Sequence, residues 1–100
     1  MMVSIIRTDD FDVWLSSLKD MRAKARIIKR VRSAERGNFG DCRSVGGGVS
    51  EMRIHFGPGY RVYFTRIDSV VYLLLCGGTK RGQGRDIAKA REMVYLLKET

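Results

Sequence analysis

Residues 49–80, VSEMRIHFGPGYRVYFTRIDSVVYLLLCGGTK, have the pattern of three consecutive β-strands. Residues 51–56 alternate strictly between polar and apolar side chains, as one strand with two different faces would. The Gly57-Pro58-Gly59 sequence then predicts a chain reversal, because glycine tolerates positive φ and proline fixes its own φ. We therefore predict a β-hairpin with one packed apolar face and one face open to solvent.

The predicted solvent face of this hairpin is cationic. It carries two guanidinium groups, an imidazole and a phenol, from Arg53, Arg61, His55 and Tyr63. Imidazole titrates near neutral pH, and guanidinium groups form bidentate pairs with phosphate oxygens. This combination is suited to binding a phosphodiester and to moving a proton at it. The plainer alternatives are an ordinary exposed histidine and an Arg53 that pairs with Glu51 or with an acid of a neighbouring strand.

The composition indicates one small, basic globular domain. The 100 residues include 19 Lys and Arg against 11 Asp and Glu, so the net charge is +8. Such a charge on a short chain favours an anionic partner, usually nucleic acid, although a membrane surface or an acidic protein would also qualify. A basic surface that serves only solubility is the alternative.

The cysteine and histidine content argues against a metal site. Two cysteines and one histidine form no CxxC motif and no Cys/His cluster, and we expect no metal or other cofactor. No segment approaches membrane-spanning length, and the N-terminal apolar run is interrupted by two acids. These features predict a protein of the reducing cytoplasm.

The N-terminal part predicts a strand followed by two helices. Residues 2–7 form a short apolar run, and Thr8 is a suitable N-cap for the first helix. Apolar residues then recur at helical spacing: Phe11, Trp14, Leu15, Leu18 and Met21. A second helix is predicted over residues 22–36, ended by Gly37, with a buried stripe of Ala25, Ile28 and Val31.

The remaining segments complete an antiparallel meander. Residues 38–48 predict a loop, with a short edge strand at residues 42–45 as an alternative. Residues 70–76 are apolar on both faces, which favours a strand buried on both sides. The glycine- and lysine-containing residues 77–84 predict a loop able to approach a phosphate, and a last helix is predicted from Arg85.

This order of elements resembles the RelE/ParE superfamily of toxins from bacterial type II toxin–antitoxin modules. The segments FDVWLSSLKDMRAKARI, RGNFGD, GGGVSEMRIHFGPGYRVYF and LLCGGTK are similar to its HigB-like addiction module killer branch. The resemblance covers nearly the whole chain. It implies a single α+β domain over residues 1–100, with a predominantly antiparallel sheet of four or five strands. The N-terminal two-helix hairpin would pack on one face of the sheet, and a C-terminal helix would follow.

The resemblance also implies a function and a set of site residues. RelE-like nucleases hold mRNA on the sheet, cut it at the ribosome and so inhibit translation. Gly59-Tyr60-Arg61 matches their G-Y-R motif, Arg53 and His55 match two alternating cations, and Lys80 matches a basic residue after the last strand. The resemblance therefore implies the following catalytic group: Arg61, His55, Arg53 and Lys80. The residues expected to contact RNA are Tyr63, Arg81, Arg85 and Lys24.

Two departures from the family pattern bear on activity, and the superfamily offers other functions. No tyrosine occurs within residues 83–87, and Thr79 stands where HigB-like relatives usually have an acid. ParE relatives poison DNA gyrase by binding it, and a non-catalytic nucleic-acid-binding co-repressor is a further alternative. The implied partners are a cognate helix-turn-helix antitoxin, mRNA and the ribosome, with operator DNA reached only through the antitoxin and no membrane partner.

Overall fold

The computed structural model describes residues 2–99, which form five β-strands and three α-helices. In chain order these are β1 Ser4–Arg7, α1 Asp9–Ser17, α2 Met21–Glu35, β2 Cys42–Gly46, β3 Val49–Ile54, β4 Tyr60–Asp68, β5 Val71–Thr79 and α3 Gln83–Lys98. A short 3-10 turn, Lys80–Gly82, joins β5 to α3. The predicted α+β fold is confirmed. Within the described residues, no helix has both the length and the apolar character that crossing a membrane requires.

The five strands form one mixed sheet in the order β1-β5-β4-β3-β2. Strands β2 to β5 are an antiparallel meander, and β1 pairs in parallel with β5. The predicted hairpin is confirmed: Arg53 lies opposite Arg61 in the β3–β4 register. The turn between them has positive φ at Gly57 and Gly59, 55° and 79°, which explains the glycines there.

Helices cover both faces of the sheet. Helices α1 and α2 pack on one face over the main core, whose buried residues include Phe11, Ile27, Met52, Val62 and Leu74. Helix α3 packs on the opposite face over a smaller core, which includes Val49, Tyr63, Leu75, Ala90 and Val94. The expected solvent-open face of the hairpin is therefore partly covered, which is a correction to the sequence-based prediction.

The two N-terminal helices are separated by a second cap. Thr8 accepts a hydrogen bond from the Phe11 amide and caps α1, as predicted, and Asp20 accepts from the Arg22 and Ala23 amides and caps α2. The break at Asp20 resets the helical phase, so the predicted apolar stripe of α2 is partly wrong. Its buried residues are Ala23, Ile27 and Ala34, whereas Ala25 is exposed and Ile28 and Val31 are half-buried. Met21, predicted in the apolar stripe of the first helix, is instead the exposed first residue of α2.

The predicted loop at residues 77–84 is wrong in its first half. Strand β5 continues through Gly77 and Gly78 to Thr79, and α3 begins two residues earlier than predicted. The glycines are explained by close packing on both sides of the strand. A Cβ at Gly77 would collide with the indole of Trp14, and a Cβ at Gly78 would collide with the carboxylate of Asp86.

Candidate functional site

A buried polar cluster lies on the α3 face of the sheet, centred on Glu51, whose side chain is 0% exposed. The carboxylate accepts hydrogen bonds from the Tyr63 hydroxyl at 3.1 Å, from Gln83 Nε2 at 2.7 Å and from Arg43 Nε at 3.2 Å. Arg61 Nε lies 3.9 Å from the same carboxylate. These five residues, here called the Glu51 cluster, tie β2, β3 and β4 to the first residue of α3.

The hydrogen bonds keep Glu51 ionised despite its burial. Burial raises the pKa of its carboxyl, but hydrogen bonds from Gln83, Arg43 and Tyr63 and the charge of Arg61 outweigh it, and the net pKa lies below its ordinary value of 4.5. Burial and the neighbouring carboxylate raise the pKa of the Tyr63 phenol. The phenol therefore stays protonated and donates to Glu51.

Arg61 is held beside this carboxylate with donor capacity to spare. Its side chain is 8% exposed, and its Nε has no hydrogen-bond partner among the described residues. A separation of 3.9 Å from Glu51 is too long for a hydrogen bond. A buried donor without a partner costs about 1–3 kcal/mol. Arg61 therefore keeps an unsatisfied buried donor beside the Glu51 carboxylate.

Arg53 and His55 lie together at a different carboxylate, that of Asp41 in the loop before β2. His55 Nε2 is 2.6 Å from Asp41 Oδ2, and Arg53 Nη2 is 3.4 Å from Asp41 Oδ1. The hydrogen bond with His55 is the main cause that lowers the pKa of Asp41, and the charge of Arg53 acts in the same direction. These three residues are here called the Asp41 cluster. The pairing partner of Arg53 is thus Asp41 rather than Glu51.

The structure therefore divides the predicted cationic group between two acids. Arg53 and Arg61 are direct cross-strand partners, so the Asp41 and Glu51 clusters adjoin. His55 follows the end of β3 at Ile54, is 71% exposed and lies by α2 in a groove of about 350 Å³. The expectation that one solvent-facing surface holds all four groups is wrong, since α3 covers part of that face and His55 lies beyond the strand.

Tyr63 also departs from its expected position. Its side chain is fully buried in the Glu51 cluster, so it is not exposed for stacking on a base. The physical reason is that α3 packs over this part of β4, and the hydroxyl finds its partner in Glu51. Tyr60, the middle residue of the G-Y-R motif, is also buried, with its ring against Trp14.

The other predicted site residues lie in three places. Lys80 is exposed, and its backbone amide donates to the Gly59 carbonyl at 2.8 Å, which brings it to the hairpin turn before Arg61. Arg81 and Arg85 line a groove of about 770 Å³ at the C-terminal end of β5. Lys24 lies in α2, on the other side of the sheet from α3, and Nζ donates to the Ser16 carbonyl at 3.3 Å. The structure does not bring Lys24 to the Glu51 cluster.

Sequence reasoning missed three residues that organise the site: Glu51, Asp41 and Gln83. Glu51 alternates with the cations on the polar face of β3, which was a signal for a pairing role. Asp41 offered no local signal, because it reaches Arg53 and His55 only through the pairing of β2 with β3. Within residues 2–99, no three His, Cys, Asp or Glu side chains come together as a metal site.

Comparison with known proteins gives one relationship that spans the chain. No family model matches it. A protein of Haemophilus influenzae, described as "Uncharacterized protein", is 48% identical over 97 residues, which cover 97% of this chain and 98% of the relative. Identity at this level over nearly the full length of both chains places them in one family. The chain belongs to the family of this Haemophilus influenzae protein.

Proposed function

We propose that the chain is the toxin of a type II toxin–antitoxin module and that it is an endoribonuclease. It would cleave mRNA on the ribosome by metal-independent attack of the 2′-hydroxyl group and so inhibit translation. Its α+β layout and its net charge of +8 support this proposal. The observation that carries it is the cross-strand pair of guanidinium groups, Arg61 and Arg53. The His55 imidazole is held beside this pair, at the Asp41 carboxylate that Arg53 also contacts.

The two clusters would supply complementary parts of the reaction. Arg61 and Arg53 would neutralise the charge that develops on the phosphorane. His55 would act as the base for the 2′-hydroxyl proton or as the acid for the leaving 5′-oxygen. Asp41 orients the imidazole by its 2.6 Å hydrogen bond. Lys80, at the hairpin turn, would stabilise the leaving group.

Glu51 acts in this proposal through Arg61. It lies 3.9 Å from Arg61 Nε and is anchored by Tyr63 and Gln83, so it sets the position of the guanidinium group without itself contacting RNA. Glu51 is therefore a positioning residue. Tyr63 has the same role, because it is buried and donates to Glu51.

The proposed partners follow from charge and from the resemblance. A protein of net charge +8 attracts an acidic segment, and a cognate antitoxin with such a segment would cover the cationic site. The antitoxin, of helix-turn-helix type, would also make the contact to operator DNA. The cytoplasm is where mRNA and ribosomes would meet this activity.

The test is a map of mRNA ends in cells that produce the protein. Arg61→Ala should abolish new 5′ ends and relieve growth arrest, since loss of one such electrostatic contact lowers a rate about a hundredfold or more. Arg66→Ala is the matched control, because Arg66 is an exposed arginine of the same strand that bonds only locally, to the Asp68 carbonyl. Growth arrest by the unmodified protein without new 5′ ends would contradict the proposal, as would undiminished cleavage by Arg61→Ala.

A ParE-like inhibitor of DNA gyrase is the second candidate function. The burial of Arg61 and Tyr63 favours it, because binding gyrase needs no accessible catalytic group. A supercoiling assay with purified gyrase separates the two candidates. Inhibition of supercoiling that persists in Arg61→Ala, together with unchanged mRNA ends, would support the gyrase inhibitor.

A further inference from the structure

A groove of about 770 Å³ lies at the C-terminal end of β5, between α1 and α3. Strand β1 ends at Arg7, opposite Leu74, so the last residues of β5 extend beyond it. Gly77 and Gly78 line the groove with backbone alone, and Trp14 forms an aromatic wall, with its indole packed against Gly77. The groove therefore lies at the unpaired edge of β5, where Trp14 lines it from one face of the sheet and Asp86 from the other.

The carboxylate of Asp86 faces this groove without a protein partner. It lies against Gly78, and among residues 2–99 it makes no hydrogen bond and no ion pair. Burial raises the pKa of Asp86, although the charges of Arg85 and Lys89 oppose the shift. A half-buried carboxylate without a partner in a cleft is characteristic of a ligand-binding group.

The Asp86 carboxylate offers only hydrogen-bond acceptors, and this favours some RNA bases over others. A carboxylate accepts two hydrogen bonds side by side, and guanine is the RNA base that presents two adjacent donors, N1–H and N2–H, on its Watson–Crick edge. Adenine and cytosine present one donor beside an acceptor there, and uracil presents a donor between two acceptors. RNA-binding proteins commonly hold an unstacked base against an aromatic side chain while they bond this edge. Arg81 and Arg85 supply the charge for a phosphate.

We propose that this groove is a subsite for a guanine nucleotide of RNA, in which Asp86 binds the base edge, Trp14 contacts the ring and Arg81 and Arg85 bind a phosphate. This inference rests on the proposed function and deepens it. Arg61 is the cross-strand partner of Gly78, so a nucleotide in the groove would lie beside the phosphate that Arg61 binds. The protein would then prefer a guanine next to the cleaved bond.

Nucleotide binding to the full chain tests the subsite directly. Trp14 is the only tryptophan, so its fluorescence reports on the groove. In titrations at constant ionic strength, GMP should bind about tenfold or more tightly than AMP or UMP, the preference expected of a bidentate pair. IMP, which lacks the exocyclic amine, should bind with intermediate affinity. Equal affinities for the four nucleotides, or no fluorescence change with GMP, would overturn the proposal.

Variants assign the selectivity to one side chain. Asp86→Asn should bring the affinities for GMP and AMP to within about twofold, because its amide NH₂ group faces a guanine donor. Asp68→Asn, at the exposed last residue of β4, should keep the preference of the unmodified protein. A preference for GMP that survives in a folded Asp86→Asn protein would overturn the assignment. If Asp86→Asn fails to fold, the nucleotide series on the unmodified protein decides.

The binding assay is independent of RNA cleavage. Arg61-dependent mRNA cleavage without GMP selectivity would overturn the subsite and leave the nuclease proposal standing. GMP selectivity that depends on Asp86, in a protein that yields no new mRNA ends, would support the subsite and contradict the nuclease.

Discussion

Two carboxylates hold the predicted cationic site residues, Glu51 beside Arg61 and Asp41 beside Arg53 and His55. Glu51 is fully buried and keeps Arg61 in place, whereas Asp41 is exposed and holds His55 and Arg53 at the surface. Burial makes the Glu51 contacts important for stability, because a buried charge depends on its partners. Exposure makes the Asp41 contacts weak for stability, so we expect their effect in the proposed RNA cleavage instead.

Glu51→Gln should destabilise the protein. The neutral amide removes the charge that attracts Arg61 and Arg43 and turns an NH₂ group toward one of the donors around it. Leaving one buried donor without its acceptor costs about 1–3 kcal/mol in the free energy of unfolding, measurable by urea denaturation. The control is Glu92→Gln, at an exposed position of α3, which should change the free energy of unfolding little. An equal, small effect of both substitutions would show that the Glu51 cluster does not hold the fold.

The stability of the protein should fall at acid pH through Glu51. Its folded-state pKa lies below its ordinary value of 4.5, so its contribution is fully present above that value and is lost as the pH falls through the folded-state pKa. The pKa of Asp41 also lies below its ordinary value of 3.8, so Asp41 likewise loses its contribution to stability as the pH falls below that value. Unfolding measured from neutral to acid pH should therefore show a shallower decline in Glu51→Gln than in the unmodified protein. Parallel declines would contradict this attribution.

Asp41 and His55 should act as one unit in the proposed RNA cleavage. His55→Gln and Asp41→Asn should each lower the cleavage rate, by up to about a hundredfold, because the imidazole needs the carboxylate to orient it. The double variant should lose about as much as either single variant, since both remove the same function. Rates from a defined mRNA on ribosomes measure this, with Asp68→Asn as the control. Additive losses would show that the two residues act separately.

At the scale of the elements, the paired glycines of β5 set how closely two helices approach the sheet. The Trp14 indole of α1 packs against Gly77 from one side, and Asp86 of α3 packs against Gly78 from the other. Each helix therefore depends on the absence of a side chain at its contact. The same two glycines leave the backbone accessible in the neighbouring groove.

Gly77→Ala should destabilise the protein, by about 1–3 kcal/mol, because its Cβ would displace the ring of Trp14. Gly84→Ala is the matched control in the next element. It lies in α3 with no atom within 4 Å of an added Cβ, and alanine there should leave stability unchanged or raise it by about 0.5 kcal/mol. Thermal unfolding of both variants measures the difference. Equal unfolding temperatures for the two variants would contradict the packing explanation.

The elements that could be predicted were those with a local pattern. The β3–β4 hairpin followed from strict alternation around Gly57-Pro58-Gly59, and β5 followed from its apolar residues on both faces. The pair Gly77-Gly78 predicts a loop, because glycine pairs are common in loops. These glycines are needed in the strand because side chains from other elements pack against them, such as Trp14 against Gly77. A contact with a residue so distant in the sequence leaves no local pattern.

The candidate site was only half predictable for the same reason. Alternation places Glu51, Arg53, Arg61 and Tyr63 on one face, and the register agrees. Alternation does not show that α3 covers that face and buries Tyr63, nor that Asp41 draws Arg53 and His55 toward the surface. Both effects depend on tertiary packing. The nuclease, its antitoxin and its RNA remain predictions.

At the scale of the whole molecule, the net charge of +8 should govern how RNA binds. Arginines and lysines that neutralise phosphates release counterions, so affinity should fall steeply between about 50 and 200 mM salt. Specificity would come from the groove and the clusters, and attraction from the overall charge.

Arg81→Ala should reduce the slope of log affinity against log salt by about 0.7, the value expected for one phosphate contact with a single strand. Arg66→Ala, at the opposite end of β4 from Arg61, should leave the slope unchanged. Fluorescence anisotropy of a labelled RNA measures both. An unchanged slope in Arg81→Ala would show that the β5 groove does not bind the RNA backbone.

The most direct measurement of the central claim is the chemistry of the RNA ends that form in cells producing this protein. Attack by the 2′-hydroxyl group leaves a 5′-hydroxyl on the downstream fragment, so sequencing selective for 5′-hydroxyl ends should reveal new sites within coding sequences. The sites should appear with the unmodified protein and with Arg66→Ala and be absent with Arg61→Ala. No new 5′-hydroxyl ends during growth arrest, or the same ends with Arg61→Ala, would contradict an RNA-cleaving site built on Arg61.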